Sequence, residues 1–138
     1  CLVYPNSYST AMSSLGFQVV YHFFNQQPGV VCERAFLPDR KELELYQKTG
    51  LSLRSLENER PLADFDLIAF SISFEPDFIN VPRILELSGI PSLSSERGNG
   101  HPQVIAGGAA FLINPEPVAD FFDLSVEEVQ AIKQQNQH

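Results

Sequence analysis

The segment Val104–Gly108 is a short apolar run that breaks into a glycine pair, and Asn114-Pro115-Glu116-Pro117 follows it. An apolar run of this length indicates a strand that is buried on both faces, as in a parallel sheet. Glycines at the carboxyl end of such a strand let a ligand touch the main chain, although a tight turn explains the same pair equally well. Asn114 is expected to cap a helix whose first residue is Pro115.

Apolar runs and helical patterns alternate along the whole chain. The expected strands are Cys1–Tyr4, Val30–Phe36, Leu67–Phe74 and Gln103–Ala106, and the expected helices run over 14–26, 39–50, 78–87 and 115–122. This alternation predicts an α/β fold, a Rossmann-like or flavodoxin-like open parallel sheet in three α/β/α layers. The expected strand order is 2-1-3-4, with a fifth strand missing or truncated, and ligands of such sheets bind where the order reverses.

One domain is expected at residues 1–123, followed by a helix and a polar tail at 124–138, where Ser125 and Glu128 form a capping pair. Residues 6–13 and 94–102 are polar and are expected to form loops. The chain opens inside an apparent strand, without an initiator methionine, and is therefore expected to be a piece of a longer polypeptide.

The net charge of −8 and a pI of about 4.7 argue against direct nucleic-acid binding, because the nine basic residues are scattered and form no stripe. Two cysteines do not make a disulfide framework, and no apolar stretch has the length of a membrane span. A cytoplasmic location is expected. The three histidines show no metal-ligand spacing, and the serines of the first loop have no identifiable base, so neither a metal site nor a catalytic residue is predicted.

Six motifs occur in sequence: Tyr4-Pro5-Asn6-Ser7-Tyr8, Met12-Ser13-Ser14-Leu15-Gly16-Phe17, Cys32-Glu33-Arg34-Ala35-Phe36, Arg60-Pro61-Leu62-Ala63-Asp64-Phe65-Asp66, Gly89-Ile90-Pro91, and the glycine pair with its Asn-Pro-Glu-Pro continuation. Together they resemble the amino-terminal cobalamin (B12)-binding-like domain of a bacterial radical SAM protein family, over about Leu2 to Asp123. The resemblance implies a cofactor-binding accessory module placed before a radical SAM barrel in the same polypeptide.

The iron–sulfur motif of that barrel, C-x₃-C-x₂-C, is absent from this chain, and Cys1 and Cys32 cannot supply it. S-adenosylmethionine and the 4Fe-4S cluster are therefore expected only in the parent protein, outside this chain. This piece is not expected to carry out radical chemistry itself.

The resemblance also implies a set of cobalamin-binding residues: Ser13, Gly16, Ser71, Ser73, Gly107 and Gly108. Ser13 stands where the familiar D-x-H-x-x-G motif has its cobalt-ligating histidine, and Gly16 matches the glycine of that motif. Histidine ligation is thus excluded at this place, while base-off binding without a protein ligand stays open. The hydroxyls of Ser71 and Ser73 would hydrogen-bond the nucleotide tail.

Two other interpretations stay open at this point. In the first, a degenerate Rossmann-like interaction module contacts the barrel and binds no cofactor, and Phe74, Phe78 and Phe111 serve as a docking patch instead of corrin contacts. In the second, a flavodoxin-like domain binds another small molecule, but no phosphate-binding loop supports it. A receiver domain is less favoured still, because Tyr4-Pro5-Asn6 replaces its acidic pair.

Overall fold

The computed structural model describes residues 1–123 of the chain. Its strands are β1 (Leu2–Tyr4), β2 (Arg34–Phe36), β3 (Leu67–Ser71) and β4 (Gln103–Gly107), and its α-helices are α1 (Tyr8–Met12), α2 (Leu15–Gln26), α3 (Arg40–Thr49), α4 (Asn80–Leu87) and α5 (Ala109–Ile113). Four 3₁₀ turns, Leu62–Asp64, Glu75–Ile79, Ser94–Glu96 and Glu116–Phe121, connect these elements.

All strand pairs are parallel, and the sheet order is β2-β1-β3-β4. Val3 lies opposite Ala35 of β2 and opposite Phe70 of β3, so β1 is a central strand. This confirms the predicted α/β class and strand order. The direction of chain progression reverses between β1 and β3, which places a topological switch point at their carboxyl ends.

Side chains alternate between the two faces of the sheet and build two apolar cores. On one face, Ile68 and Phe70 of β3 pack with Val104 of β4 and with Val81 and Ile84 of α4. On the other face, a smaller core holds Leu2, Tyr4, Ala11, Phe17 and Cys32, and it lies under α1 and α2. Helices therefore lie on both sides of the sheet, as the predicted three layers require.

The predicted helix boundaries follow from local chemistry at two places. Asp39 accepts a hydrogen bond from the backbone N–H of Glu42, whose side chain reaches back to the Asp39 N–H, so a capping box is present where the predicted helix begins. Pro82 lies in the first turn of α4, where its missing N–H costs no intrahelical hydrogen bond.

Three local expectations were wrong. Residues Tyr8–Met12 form a helix where a loop was expected, because the Ser7 side chain caps it by accepting the Thr10 N–H. The second strand begins at Arg34, not Val30, and the third ends at Ser71, not Phe74.

The segment after the glycine pair also differs from its prediction. Ala109–Ile113 forms α5, which the sequence analysis did not predict, and Asn114 ends this helix by donating its N–H to Ala110 O. Pro115 then precedes the 3₁₀ turn Glu116–Phe121, in place of opening an α-helix. The expected fifth strand, and the helix that Ser125 and Glu128 were predicted to cap, fall outside the described residues.

Candidate functional site

The carboxyl ends of β3 and β4 lie together and are joined by main-chain hydrogen bonds. Ser71 pairs with Gly107 in the parallel register, and Ile72 N donates to Gly107 O at 2.9 Å. Ala110 N in turn donates to Ile72 O at 3.1 Å. The fold therefore brings the predicted residues Ser71, Ser73, Gly107 and Gly108 to one edge of the sheet.

The two glycines of the pair occupy different environments. Gly108 has φ +98°, and a Cβ built on it would lie 2.5 Å from Ile72 O and 2.8 Å from Ile72 N. The close approach of two main chains therefore requires glycine at this position, with or without a ligand. A Cβ at Gly107 would meet no atom within 4 Å among the described residues, so the main chain there is open to a visiting group.

Ser71 and Ser73 are both half-buried. Within residues 1–123, neither hydroxyl takes part in a side-chain hydrogen bond, whereas the hydroxyls of Ser7, Ser13, Ser55 and Ser88 all do. A serine hydroxyl can donate one hydrogen bond and accept two. Both hydroxyls are thus available to a bound molecule.

Within residues 1–123, part of one sheet face beside these serines is not covered by another segment. Leu67, Ser71, Ile105 and Gly107 are all half-buried or exposed, whereas Ile68, Phe70 and Val104, which point to the opposite face, are fully buried. We call these four residues the open face. It lies on the α2 side of the sheet, because Ala69 shares a face with Leu67 and Ser71 and packs against the smaller core under α2. Parallel sheets are normally covered on both sides, so we expect a ligand or further polypeptide to cover the open face.

The crevice between β1 and β3 holds a buried acid that the sequence analysis missed. Asp77 is 4% exposed, its Oδ1 accepts a hydrogen bond from Asn6 Nδ2 at 2.9 Å, and its Oδ2 is buried with no partner among the described residues. Burial raises the pKa of Asp77, and the hydrogen bond from Asn6 only partly opposes this. Asn80 Nδ2 also donates to Pro5 O, so two amides tie the turn after β1 to the segment after β3.

Nothing in the sequence marks Asp77, since an acid in the first turn of a helical segment is ordinarily a solvated dipole partner. Its burial arises from the turn after β1, which is distant in the sequence. The polar loop after β1 was the correct region to inspect, but the acid that faces it comes from the segment after β3.

Ser13 and Gly16 lie apart from the open face, at the junction of α1 and α2. The Ser13 hydroxyl donates to Thr10 O at 2.6 Å and so ends α1. Gly16 lies in the first turn of α2, and a Cβ there would meet no described atom within 4 Å. In the part of the chain that the structure describes, no hydrogen bond joins this junction to β3 or β4. The six predicted residues thus form two groups.

The three phenylalanines considered as ligand contacts or as a docking patch have different roles. Phe78 and Phe111 are buried in the larger core, where the Phe111 ring stands edge-on to Phe122 with centroids 5.2 Å apart. Both rings therefore pack inside the domain. Only Phe74 is exposed.

The amino end of the open face borders one of the main depressions of residues 1–123, because Leu67 lines it. One of about 320 Å³ lies at the amino ends of β1 and β3, and one of about 680 Å³ lies between α3 and the turn after β2. Ser71 and Gly107, at the carboxyl ends of β3 and β4, line neither of these two depressions. His, Cys, Asp and Glu side chains of this part of the chain form no group of three placed to hold a metal ion. None of its helices has the length and apolar character needed to cross a membrane.

A four-stranded parallel sheet with a switch point and an open face beside it defines a Rossmann-like module. Residues 16–129 match the family described as radical SAM proteins, N-terminal, and the chain belongs to that family. It is also similar to the uncharacterized protein MJ0966 of Methanocaldococcus jannaschii, with 22% identity over 125 residues. The match covers 91% of this chain but only 22% of that relative. No solved structure matches the chain.

Proposed function

We propose that this domain is a cofactor-binding accessory domain of a radical SAM enzyme and holds a cobalamin on the open face, toward a catalytic barrel elsewhere in the same polypeptide. The observation that carries the proposal is the pairing of Ser71 with Gly107. It sets a hydroxyl that has no side-chain hydrogen bond within residues 1–123 next to the main chain of Gly107, where no described atom lies within 4 Å of the Cβ position.

The residues fit this cofactor in three respects. Ser71 and Ser73 offer hydrogen bonds to the polar periphery or the nucleotide tail of a corrinoid. Gly107 lets a flat group approach the main chain. The stretch Asn6–Gly16 has no histidine, so a base-off cobalamin without an axial protein ligand is the form that this chain accommodates.

When bound, cobalamin supplies a cobalt center that takes part in methyl transfer or in radical control. The residues of this chain bind and orient the cofactor, and they carry out no proton transfer at the reacting atoms. S-adenosylmethionine and the iron–sulfur cluster belong to the barrel in this proposal.

The test is a titration of the polypeptide that carries this domain with hydroxocobalamin, followed by visible absorbance and calorimetry. Gly107→Leu would fill the space over the main chain and should abolish binding. Gly98→Leu is the matched control, because Gly98 also has no described atom within 4 Å of its Cβ position but precedes β4 at the other end. Ser71→Ala should weaken binding about three- to tenfold, the value of about one hydrogen bond.

Saturable binding that only Gly107→Leu and Ser71→Ala weaken would support the proposal. A folded polypeptide that binds no cobalamin would instead support the second candidate, an interaction module without a cofactor. One observation favours that candidate: the contact of Gly108 with Ile72 explains half of the glycine pair by packing alone.

A further inference from the structure

Helix α2 is apolar on both of its sides. Its inward residues Phe17, Tyr21 and Phe24 pack against the smaller core. Its outward residues also include large apolar side chains, and the helix contains no Asp, Glu, Lys or Arg. Its polar residues Gln18, His22, Asn25 and Gln26 are uncharged amides or imidazole, so the exposed side of α2 carries large apolar side chains among uncharged polar ones.

The outward side chains form a continuous exposed row. Leu15, Val19 and Phe23 follow one another at four-residue spacing and are 76%, 57% and 56% exposed. Residues four apart are neighbours on a helix surface, so these three side chains form one stripe. Single exposed apolar residues are common on proteins, but a contiguous stripe marks an interaction surface.

The flank of this stripe is also free of net charge. Arg34 is the charged group beside α2, and its Nε lies 2.6 Å from Glu57 Oε1 while its guanidinium stacks on the Tyr21 ring at 4.3 Å. A shallow depression of about 540 Å³ between Arg34 and the side of α2 adjoins Val19 and Phe23. On a chain with net charge −8, the stripe and its flank are therefore suited to a protein partner whose contact surface is apolar.

We infer that the outward face of α2 is the surface on which the remainder of the radical SAM polypeptide docks. The region shared with the Methanocaldococcus relative makes up 22% of that protein, so most of such a polypeptide lies outside this domain and is available to cover α2. A second copy is disfavoured because it would bring two chains of charge −8 together across a face that offers no compensating cations.

Docking on α2 would also bring the partner domain close to the surface that is proposed to bind cobalamin. Helix α2 and the open face lie on the same side of the sheet, so a domain that docks on α2 stands beside Ser71 and Gly107. The inference rests on membership of the family, not on cobalamin binding, and it is tested without the cofactor.

The experiment uses the full-length polypeptide with the photo-crosslinker p-benzoylphenylalanine in place of Phe23, and a matched control with the same group in place of Leu45. Leu45 is 62% exposed on α3, a helix rich in charged residues. Crosslinks from position 23 to segments beyond residue 138 of the same chain, and none from position 45, are the expected result. Crosslinks only between two chains, or none from position 23, would overturn the inference.

Hydrogen exchange of the same polypeptide gives an independent measurement. Val19→Glu should remove the protection of amides in Leu15–Gln26 and of the segment that covers them, whereas Leu45→Glu should leave both unchanged. Equal exchange in the two variants would also overturn the inference. The cobalamin titration has a separate readout, so failure of the cofactor proposal and failure of the docking inference are distinguishable.

Discussion

Replacement of Gly108 by alanine tests whether the glycine is required by the fold. The residue has φ +98°, and the added Cβ would lie 2.5 Å from Ile72 O, a backbone atom that cannot rotate away. Its ψ is 164°, and this combination of φ and ψ, which is essentially confined to glycine, costs a residue with a Cβ about 1–3 kcal/mol. Forcing β3 and the turn after β4 apart costs about 1–3 kcal/mol more. Alanine regains about 0.4–1 kcal/mol through the unfolded chain, so the expected net loss is roughly 2–4 kcal/mol.

Two other glycines separate these contributions. Gly89 has φ +71° but no described atom within 4 Å of its Cβ position, so Gly89→Ala should lose only about 1 kcal/mol. Gly107 has neither problem, and Gly107→Ala should be neutral or slightly stabilising.

Urea unfolding followed by circular dichroism measures all three free energies. If Gly108→Ala and Gly89→Ala lose the same free energy, the contact with Ile72 does not impose the glycine. In that case ligand binding becomes the better explanation for both glycines of the pair.

Three further predictions concern buried polar groups. Burial holds the pKa of Asp77 above its unfolded value of 3.8, so its favourable contribution to the free energy of unfolding is present below that pH and is lost as the pH rises. Asp77→Asn should therefore be more stable than the wild type at pH 7 by about 1 kcal/mol, and urea unfolding at pH 3 should show no gain. Burial alone would raise the pKa of Glu33, but hydrogen bonds from Ser55 and Asn58 outweigh it and lower the pKa. Glu33→Gln should therefore lose about 1 kcal/mol of unfolding free energy at pH 7, and a loss that persists undiminished at pH 3 would contradict this. Arg97 donates to three backbone carbonyls and pairs with Asp123, so Arg97→Met should lose about 3 kcal/mol by thermal or urea unfolding, and an unchanged midpoint would count against the buried network.

The architecture was predictable because each strand is a short apolar run with a helical pattern after it, and only a parallel sheet buries such strands. The boundaries were less predictable. Val30 and Val31 have strand-forming side chains, yet they stay exposed outside β2. Residues Tyr8–Met12 lack an apolar stripe, and only the hydroxyl of Ser7 signals that a helix begins there.

The site was predictable where topology alone determines it. Once the strands are parallel, the residues that follow β3 and β4 must meet at one edge, and Ser71 does pair with Gly107. Burial is another matter, because it depends on which segments pack over a residue. The same apolar pattern in α2 contains both Phe17, which is buried, and Val19, which is exposed, and Asp77 is buried by a turn 71 residues earlier.

The exposed stripe of α2 and the open face raise the same question, which is what covers them in the whole protein. Each is an apolar or unshielded surface on the same side of a sheet whose opposite side is fully packed. A cofactor alone would cover Ser71 and Gly107 but would leave Leu15, Val19 and Phe23 in water. A docked domain alone would cover α2 but would leave the hydroxyls of Ser71 and Ser73 without partners unless it supplied polar groups there. The two proposals together account for both surfaces, because a cofactor held between the open face and a domain seated on α2 is shielded from water on both sides.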